Sequence, residues 1–242
     1  MTDLLLGGSA VAIAGFLGGV TGFGYAIVAT PLLLATGFSL PFVVTANLAL
    51  ALATRVTVVV RLRQTVDWRR AGLLVAGSVP GLYLGAATLR AVDPTPIKIG
   101  VSVLVIGLAV VLAVRTSAPA GAPVPGAPVA AGFAGGFLGT MSSLNGVPPA
   151  LLLTRRGVAP RSFIADLAAY FVASNTIGLV LLFATGAISH RALFPAAVVW
   201  LPGSIVANAI GVALAPRLPE RWFRRLTLAI VFTTGVVTLL ST

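Results

Sequence analysis

The sequence GGVTGFGYAIVATPLLL, from Gly18 to Leu34, interrupts a long apolar run with four glycines in seven residues, followed by a proline. Both residue types disfavour the interior of a helix. The surrounding run, residues 4–36, is 33 residues long, which is too long for one membrane crossing and too short for two. We therefore predict a helix that breaks inside an apolar environment.

The composition indicates a membrane protein. The chain has 242 residues, of which 58% are hydrophobic and only 9% are charged, whereas soluble domains have about a quarter charged residues. We predict an all-α polytopic protein of the cell membrane. The net charge of +11 would also suit a nucleic-acid binder, but the basic residues form no dense patch. With no Cys, one His and five carboxylates, we expect neither a metal site nor a cofactor.

Six segments have the length and composition of single crossings. They are residues 39–61, 68–89, 94–114, 160–184, 189–214 and 219–240. A second over-long segment, residues 129–154, is interrupted by GTMSSLNGVPP. Between the halves, residues 116–128 are rich in Pro, Ala and Gly and are predicted to be a linker. It would separate a first transmembrane repeat, residues 1–115, from a second, residues 129–242.

The two halves resemble each other in sequence. AGFLGG at 14–19 matches AGFAGG at 131–136, and the same offset of 117 pairs Gly22 with Gly139 and Pro31 with Pro148. Further on, WRRAGLLVAGSVPG resembles HRALFPAAVVWLPG. The order and spacing of these matches predict an internal duplication, in which each repeat has one broken helix-turn-helix segment and three transmembrane helices.

The distribution of basic residues predicts the orientation of the repeats. If each broken segment crosses the membrane once, the basic residues divide six against nine between the two sides. If each is a hairpin that enters and leaves on the same side, they divide twelve against three, as the positive-inside rule requires. Each repeat then crosses an odd number of times, so the repeats are inverted and both termini lie outside.

Paired helix breaks indicate a transport site. Irregular backbone at membrane depth is tolerated only where protein buries it or where it lines a cavity, and transporters use such half-helices to hold substrate. The freed N–H groups and positive helix ends would face an anion, which Gly22, Gly24 and Gly139 would allow to approach the backbone closely. The alternative is that these glycines only permit close helix packing.

The sequence also resembles a known family. AGFLGGVTGFGYAIVATPLLL, its echo AGFAGGFLGTMSSLNGVPPALLL and the two four-segment halves are similar to the TauE/SafE family of sulfite-exporter-like transporters over nearly the whole chain. The resemblance implies transport of small sulfur-containing anions such as sulfite, thiosulfate or organosulfonates including sulfoacetate. The second repeat departs from the glycine pattern at Ser142, Ser143 and Asn145.

Arg55 is the main candidate for anion binding. It is the one basic residue well inside a predicted span, six residues from Arg61 at the span's end. Arginines at membrane depth usually line pathways because their insertion is costly, and the guanidinium fork suits a sulfonate or carboxylate. The alternatives are that Arg55 snorkels to the interface or forms a structural ion pair.

Polar residues in the spans and in the second break complete the predicted substrate site. They are Thr45, Asn47, Ser142, Ser143, Asn145, Ser174 and Asn175. Interhelical hydrogen bonding is the alternative role for such residues, and it is the favoured one for Ser204 and Asn208. Asp166 would pair with Arg161, carry a coupling proton or simply lie near the interface. His190 would be interfacial, and Trp68, Trp200 and Trp222 would be interface anchors.

These observations favour a secondary transporter that works by alternating access, with a small anion and the lipid bilayer as partners and no nucleic acid. A homodimer is compatible with the sequence. An anion channel and a transporter of a non-sulfur organic anion are the alternatives. An enzyme is disfavoured, because Ser142 and Ser143 have no inward His or clustered carboxylates to activate them.

Overall fold

A computed structural model describes residues 2–93, 124–186 and 190–214, with a few further positions between 95 and 107. The three continuous ranges contain eight α-helices and no strand. They are α1 (Thr2–Thr21), α2 (Tyr25–Ala35), α3 (Leu40–Leu62), α4 (Trp68–Ala91), α5 (Ala127–Ser142), α6 (Val147–Arg155), α7 (Pro160–Ala184) and α8 (His190–Leu214). Most of the predicted span at 94–114, most of the linker and the whole predicted span at 219–240 lie outside the described residues.

The predicted spans are confirmed where the structure describes them. Helices α3, α4, α7 and α8 begin and end within two residues of the predicted bounds. Within the described ranges, these four helices and α1 are long and apolar enough to cross a membrane. Four helices (α3, α5, α6 and α7) carry proline in their first turn, where its missing N–H breaks no intrahelical bond. The chain is thus a multi-pass helical membrane protein.

Both over-long segments break where the sequence predicts. In the first break, Gly22 has a φ of +82°, a left-handed conformation that glycine adopts without steric cost. In the second break, Ser143 has a φ of +62° and is the one described non-glycine residue with positive φ. Both residues are buried. The chain therefore leaves the helical path inside the protein at two places.

The structure corrects the alignment of the two breaks. FLG occurs at 16–18 and at 137–139, and the hydroxyls of Thr21 and Ser142 donate to the carbonyls of Leu17 and Leu138 in the same way, at 2.9 and 2.8 Å. The corresponding residues at the ends of α1 and α5 are thus 121 positions apart, so Gly22 lines up with Ser143.

The predicted pairing of Gly22 with Gly139 at an offset of 117 is wrong. Gly139 lies inside α5, three residues before its end, and not in the break. The two offsets differ by four residues, about one helical turn. Because packing glycines recur at that interval along a helix face, a shift of one turn preserves much of the sequence match.

Close helix packing at glycines joins the two halves of the chain. A Cβ on Gly81 of α4 would collide with the Phe133 carbonyl of α5, and one on Gly85 with the carbonyl of Phe137. The contacts advance together along both helices, so α4 and α5 run parallel. Helices α1 and α8 pack in the same parallel sense, with Gly15 against Ser204 and Gly19 against Asn208. Small residues allow such close backbone approach in membranes.

The two central helices run antiparallel. Gly178 of α7 faces the side chain of Leu48 in α3, while the Arg55 guanidinium of α3 lies 5.7 Å from the ring centroid of Phe171 in α7. Positions later in α3 thus meet positions earlier in α7. Helices α3 and α7 cross the middle of the molecule between the two glycine-packed pairs.

Trp200 and Trp68 differ in burial. Trp200 is 1% exposed, its indole N–H donates to the Leu4 carbonyl at 2.8 Å, and its ring packs edge-on against Phe38 and Phe42. The prediction of an interface anchor is wrong for Trp200, because the close approach of α1 to α8 encloses the ring. Trp68 begins α4 and is 61% exposed, as an anchor requires. Trp222 lies outside the described residues.

Candidate functional site

The two breaks meet at the centre of the molecule. A Cβ on Gly146, in the second break, would lie 3.3 Å from the Cβ of Phe23 in the first break and 2.6 Å from the ring of Phe171. Phe23 also packs edge-on against Phe163 of α7, with ring centroids 6.4 Å apart. Both halves and the central helix α7 therefore meet at one site.

The first break presents backbone donors. The Gly24 N–H donates to the Thr21 hydroxyl at 2.8 Å, and Val28 makes the first intrahelical bond of α2, to the Gly24 carbonyl at 3.3 Å. The N–H groups of the three residues between them precede that bond, so α2 itself cannot satisfy them. This end of α2 can therefore offer N–H donors and a positive dipole end to an anion.

The second break is built differently. Helix α6 begins Val147-Pro148-Pro149, and the two prolines have no N–H to donate. The N–H of Val147 points to the Leu144 carbonyl at 3.5 Å. The prediction that both half-helices offer freed N–H groups is therefore wrong for α6, and side chains provide the polar groups there.

A hydroxyl–amide cluster, the Asn47 cluster, consists of Thr30, Asn47 and Ser143. Each of the three residues is 1% exposed. The amide nitrogen of Asn47 lies 3.0 Å from the Thr30 hydroxyl and 3.1 Å from the Ser143 hydroxyl, and the hydroxyls are 2.8 Å apart. The cluster ties α2 and α3 to the second break, so it links the two halves.

A second polar group surrounds Asn145. Its amide donates to the Asn175 side-chain oxygen at 2.5 Å and approaches the Ser174 hydroxyl at 3.4 Å. Among the described residues, neither the Asn175 amide nitrogen nor the Tyr170 hydroxyl finds a hydrogen-bond partner, although both atoms are buried. The predicted residues of the second break and α7 thus come together, with a spare donor on Asn175.

Arg55 lies between the breaks. Its side chain is buried, with 2% of the residue exposed, and one Nη2–H donates to the Gly18 carbonyl at 3.0 Å. Within the described part of the chain, no carboxylate lies within salt-bridge distance of it. This geometry contradicts both snorkelling and a structural ion pair. A buried cation without an anionic partner is costly, and a bound anion would remove that cost.

Some predicted residues satisfy their own helix instead of facing the breaks. The hydroxyls of Thr45 and Ser142 donate to the carbonyls four residues earlier, at 2.8 Å in both cases. Ser204 and Asn208 lie where α8 packs against α1, which matches the role of helix contact favoured from the sequence. His190 begins α8, and its side chain lies outside the described residues.

Two residues of the site were missed from the sequence. Thr30 carries a hydroxyl within the opening stretch itself, which was a usable signal. Phe171 is one apolar residue among many in its span, and no sequence feature singles it out.

Asp166 pairs with Arg70 and not with Arg161. One carboxylate oxygen accepts the Asp67 N–H at 2.7 Å, and the other accepts Arg70 Nε–H at 2.7 Å together with an Nη2–H. The predicted partner Arg161 is wrong, because residues five apart point about 140° away from each other around a helix. The start of α4 lies beside Asp166 instead.

The family follows from a comparison of the whole chain with family models. The model described as "Sulfite exporter TauE/SafE" matches residues 8–238, which includes both breaks and all the site residues above. The chain belongs to the TauE/SafE family. No match was found among curated proteins or among solved structures.

TauE/SafE proteins are membrane transporters of sulfite-like anions, so the family resemblance drawn from the sequence is confirmed. A transporter family is also consistent with the expectation that the chain is not an enzyme. In the described residues, no group of three or more His, Asp or Glu side chains could hold a metal ion.

Proposed function

We propose that this TauE/SafE protein is a secondary transporter that moves a small sulfur-containing anion across the cell membrane by alternating access. The observation that carries the proposal is Arg55, a buried guanidinium between two helix breaks with no carboxylate within salt-bridge distance among the described residues. A permanent cation at that place favours an anionic substrate.

The substrate's oxygens would divide between the two halves. The guanidinium fork can bind two oxygens of a sulfonate or sulfite in one plane, while the first turn of α2 adds N–H donors and about half a positive charge. On the second break, the unpartnered amide nitrogen of Asn175 supplies a further donor. A tetrahedral or pyramidal oxyanion suits donors that converge from several directions.

Alternating access rests on inverted repeats, which the helix directions support. If the repeats ran in the same direction, α3 and α7 would be parallel, but their contacts run antiparallel. The packing of α1 on α8 and of α4 on α5 gives two helix pairs, each drawn from both halves. Rocking of such units around a fixed central site is the established mode of inverted-repeat transporters.

Binding and transport assays test the proposed function. Purified protein is screened by thermal shift against sulfite, thiosulfate, sulfate, taurine, sulfoacetate and simple carboxylates, and hits are followed by calorimetry and by flux into proteoliposomes. We expect saturable binding and saturable flux for a sulfur oxyanion. Conductance that does not saturate would indicate a channel, and binding of carboxylates alone would indicate a non-sulfur substrate.

Cysteine labelling tests the orientation, because the chain has no Cys. Gln64 and Ala159 are exposed, and they lie on the same side of the membrane only if the second broken segment returns to the side from which it enters. We expect Gln64→Cys and Ala159→Cys to react with an impermeant maleimide only after permeabilisation, and Ser39→Cys and Ala184→Cys to react without it. Labelling of Gln64→Cys and Ala159→Cys from opposite sides would contradict inverted repeats.

A further inference from the structure

The hydrogen bonds of the Asn47 cluster fix the orientation of the Asn47 amide. Four contacts need a hydrogen: Thr30 to Ser143 at 2.8 Å, Ser143 to the Ser142 carbonyl at 2.6 Å, and Asn47 to each hydroxyl at 3.0 and 3.1 Å. The two hydroxyls supply only two hydrogens. Asn47 must supply the other two, so its NH₂ group faces the hydroxyls.

This orientation leaves the side-chain oxygen of Asn47 as an unused acceptor. The atom is buried and has no hydrogen-bond partner among the described residues. Buried polar atoms in proteins are nearly always satisfied, and an exception needs an explanation. Rotating the amide would place its oxygen against the two hydroxyls, and their two hydrogens could then serve only two of the four contacts.

Asp166 of α7 shows how a buried polar side chain is satisfied elsewhere in this protein. Both carboxylate oxygens of Asp166 are occupied, one by the Asp67 N–H and the other by Arg70. Asn47 differs, because its side-chain oxygen has no such donor among the described residues.

We infer that the Asn47 oxygen receives a hydrogen bond from the substrate, so the site selects anions that carry a donor as well as an oxyanion. Such anions are sulfonates with a hydroxyl group, or oxyanions that retain one proton. The inference rests on the proposed function, since it specifies the substrate class of that same site. An anion with only acceptors would leave the Asn47 oxygen unpaired or would be repelled by it.

Three sulfonates of similar size test this selectivity. Ethanesulfonate has no second polar group, isethionate has a hydroxyl donor at its far end, and sulfoacetate has a carboxylate acceptor there. Leaving a buried acceptor unpaired costs enough that we expect isethionate to bind about tenfold or more tighter than ethanesulfonate. Sulfoacetate should bind more weakly than isethionate. Calorimetry on the purified protein gives the three affinities.

Variants of Asn47 connect the selectivity to this atom. Asn47→Leu should abolish the preference for isethionate over ethanesulfonate, whereas Asn47→Asp keeps an acceptor there and should retain it. Asn208→Leu is the matched control, because it removes a buried amide of α8 outside the cluster and should leave the affinity ratio unchanged. The ratio, and not the absolute affinity, is the readout, so a general loss of stability does not imitate the effect.

Two outcomes would contradict the inference in different ways. Equal affinity of the parent protein for isethionate and ethanesulfonate, or a preference that survives Asn47→Leu, would overturn the role of Asn47 while leaving the sulfur-anion site intact. If neither these sulfonates nor sulfite bind, the proposed function itself fails, and the inference fails with it.

Discussion

The two breaks occupy equivalent places in the two halves but use different chemistry. The first, Gly22-Phe23-Gly24, has no polar side chain and exposes the backbone N–H groups at the start of α2. The second contains Ser143 and Asn145, and prolines remove the backbone donors at the start of α6. Once proline replaces the N–H groups, side chains must provide the polar contacts. The two breaks thus form an asymmetric site.

The same contrast extends to the central helices. Arg55 of α3 donates to the Gly18 carbonyl next to the first break, whereas Ser174 and Asn175 of α7 accept from Asn145 in the second break. The first half therefore contributes a full charge and the second half contributes dipoles. An anion bound between them would meet its strongest partner on one side only.

Removing the carboxylate of Asp166 should have the largest effect on stability. Asp166→Ala leaves Arg70 with only the exposed Asp67 carboxylate at 3.6 Å, which should lower the free energy of unfolding by about 3 kcal/mol, the low end for breaking a buried ion pair. The low end applies because the Arg70 side chain keeps 19% exposure. Denaturant unfolding in detergent measures the change, with exposed Asp93→Ala as the control. Unchanged stability would show that the contacts of Asp166 with Arg70 and Asp67 do not stabilise the fold.

Replacing Arg55 should separate binding from stability. Arg55→Met should weaken binding of the best sulfur anion about ten- to hundredfold without lowering the free energy of unfolding, because a buried cation without a carboxylate does not stabilise the fold. Arg55→Lys should recover part of the affinity, since an ammonium cannot grip two oxygens in one plane.

Calorimetry and thermal unfolding are measured together on the Arg55 variants. Arg61→Met, at the exposed end of the same helix, is the control. Lost stability at unchanged affinity would show that Arg55 serves only to hold the Gly18 carbonyl at the end of α1.

The close packing of α4 on α5, which joins the two halves, can be tested through its glycines. Gly81→Ala places a Cβ against the Phe133 carbonyl and 2.9 Å from the Phe137 nitrogen, so it should destabilise the protein by about 1–3 kcal/mol. Gly72 lies in the same helix with nothing within 4 Å of its Cβ position, and Gly72→Ala should be neutral or slightly stabilising. Thermal unfolding of both variants gives the comparison; equal melting temperatures would refute the close packing of α4 on α5.

The smallest expected effect concerns the conformation of the second break. Ser143→Gly and Ser143→Ala both remove the hydroxyl, but only alanine keeps a Cβ in the left-handed conformation at φ +62°. Ser143→Gly should therefore be more stable than Ser143→Ala by about 1 kcal/mol, measured as the free energy of unfolding. Gly22→Ser introduces the residue of the second break into the first and should cost a similar amount. Equal free energies of unfolding for Ser143→Ala and Ser143→Gly would show that the left-handed conformation at position 143 is not strained.

The sequence by itself determined the helices, the two breaks and the family. A membrane span needs about 20 apolar residues, so α3, α4, α7 and α8 were found within two residues of their bounds. Glycine and proline act on the backbone locally, so both breaks could be placed. The same local patterns carried the resemblance to TauE/SafE. Arg55 could be singled out because a charge inside a span is rare.

Only the tertiary structure decided which polar groups meet. The register of the repeat was uncertain by one helical turn, because glycines spaced four apart match equally well after such a shift. The pairing of Asp166 with Arg70, the burial of Trp200 and the inclusion of Thr30 and Phe171 depend on which helix faces touch. The orientation of the Asn47 amide depends on counting the hydrogens of partners from three separate segments. Partners distant in the chain cannot be deduced from local spacing, because packing between helices brings them together.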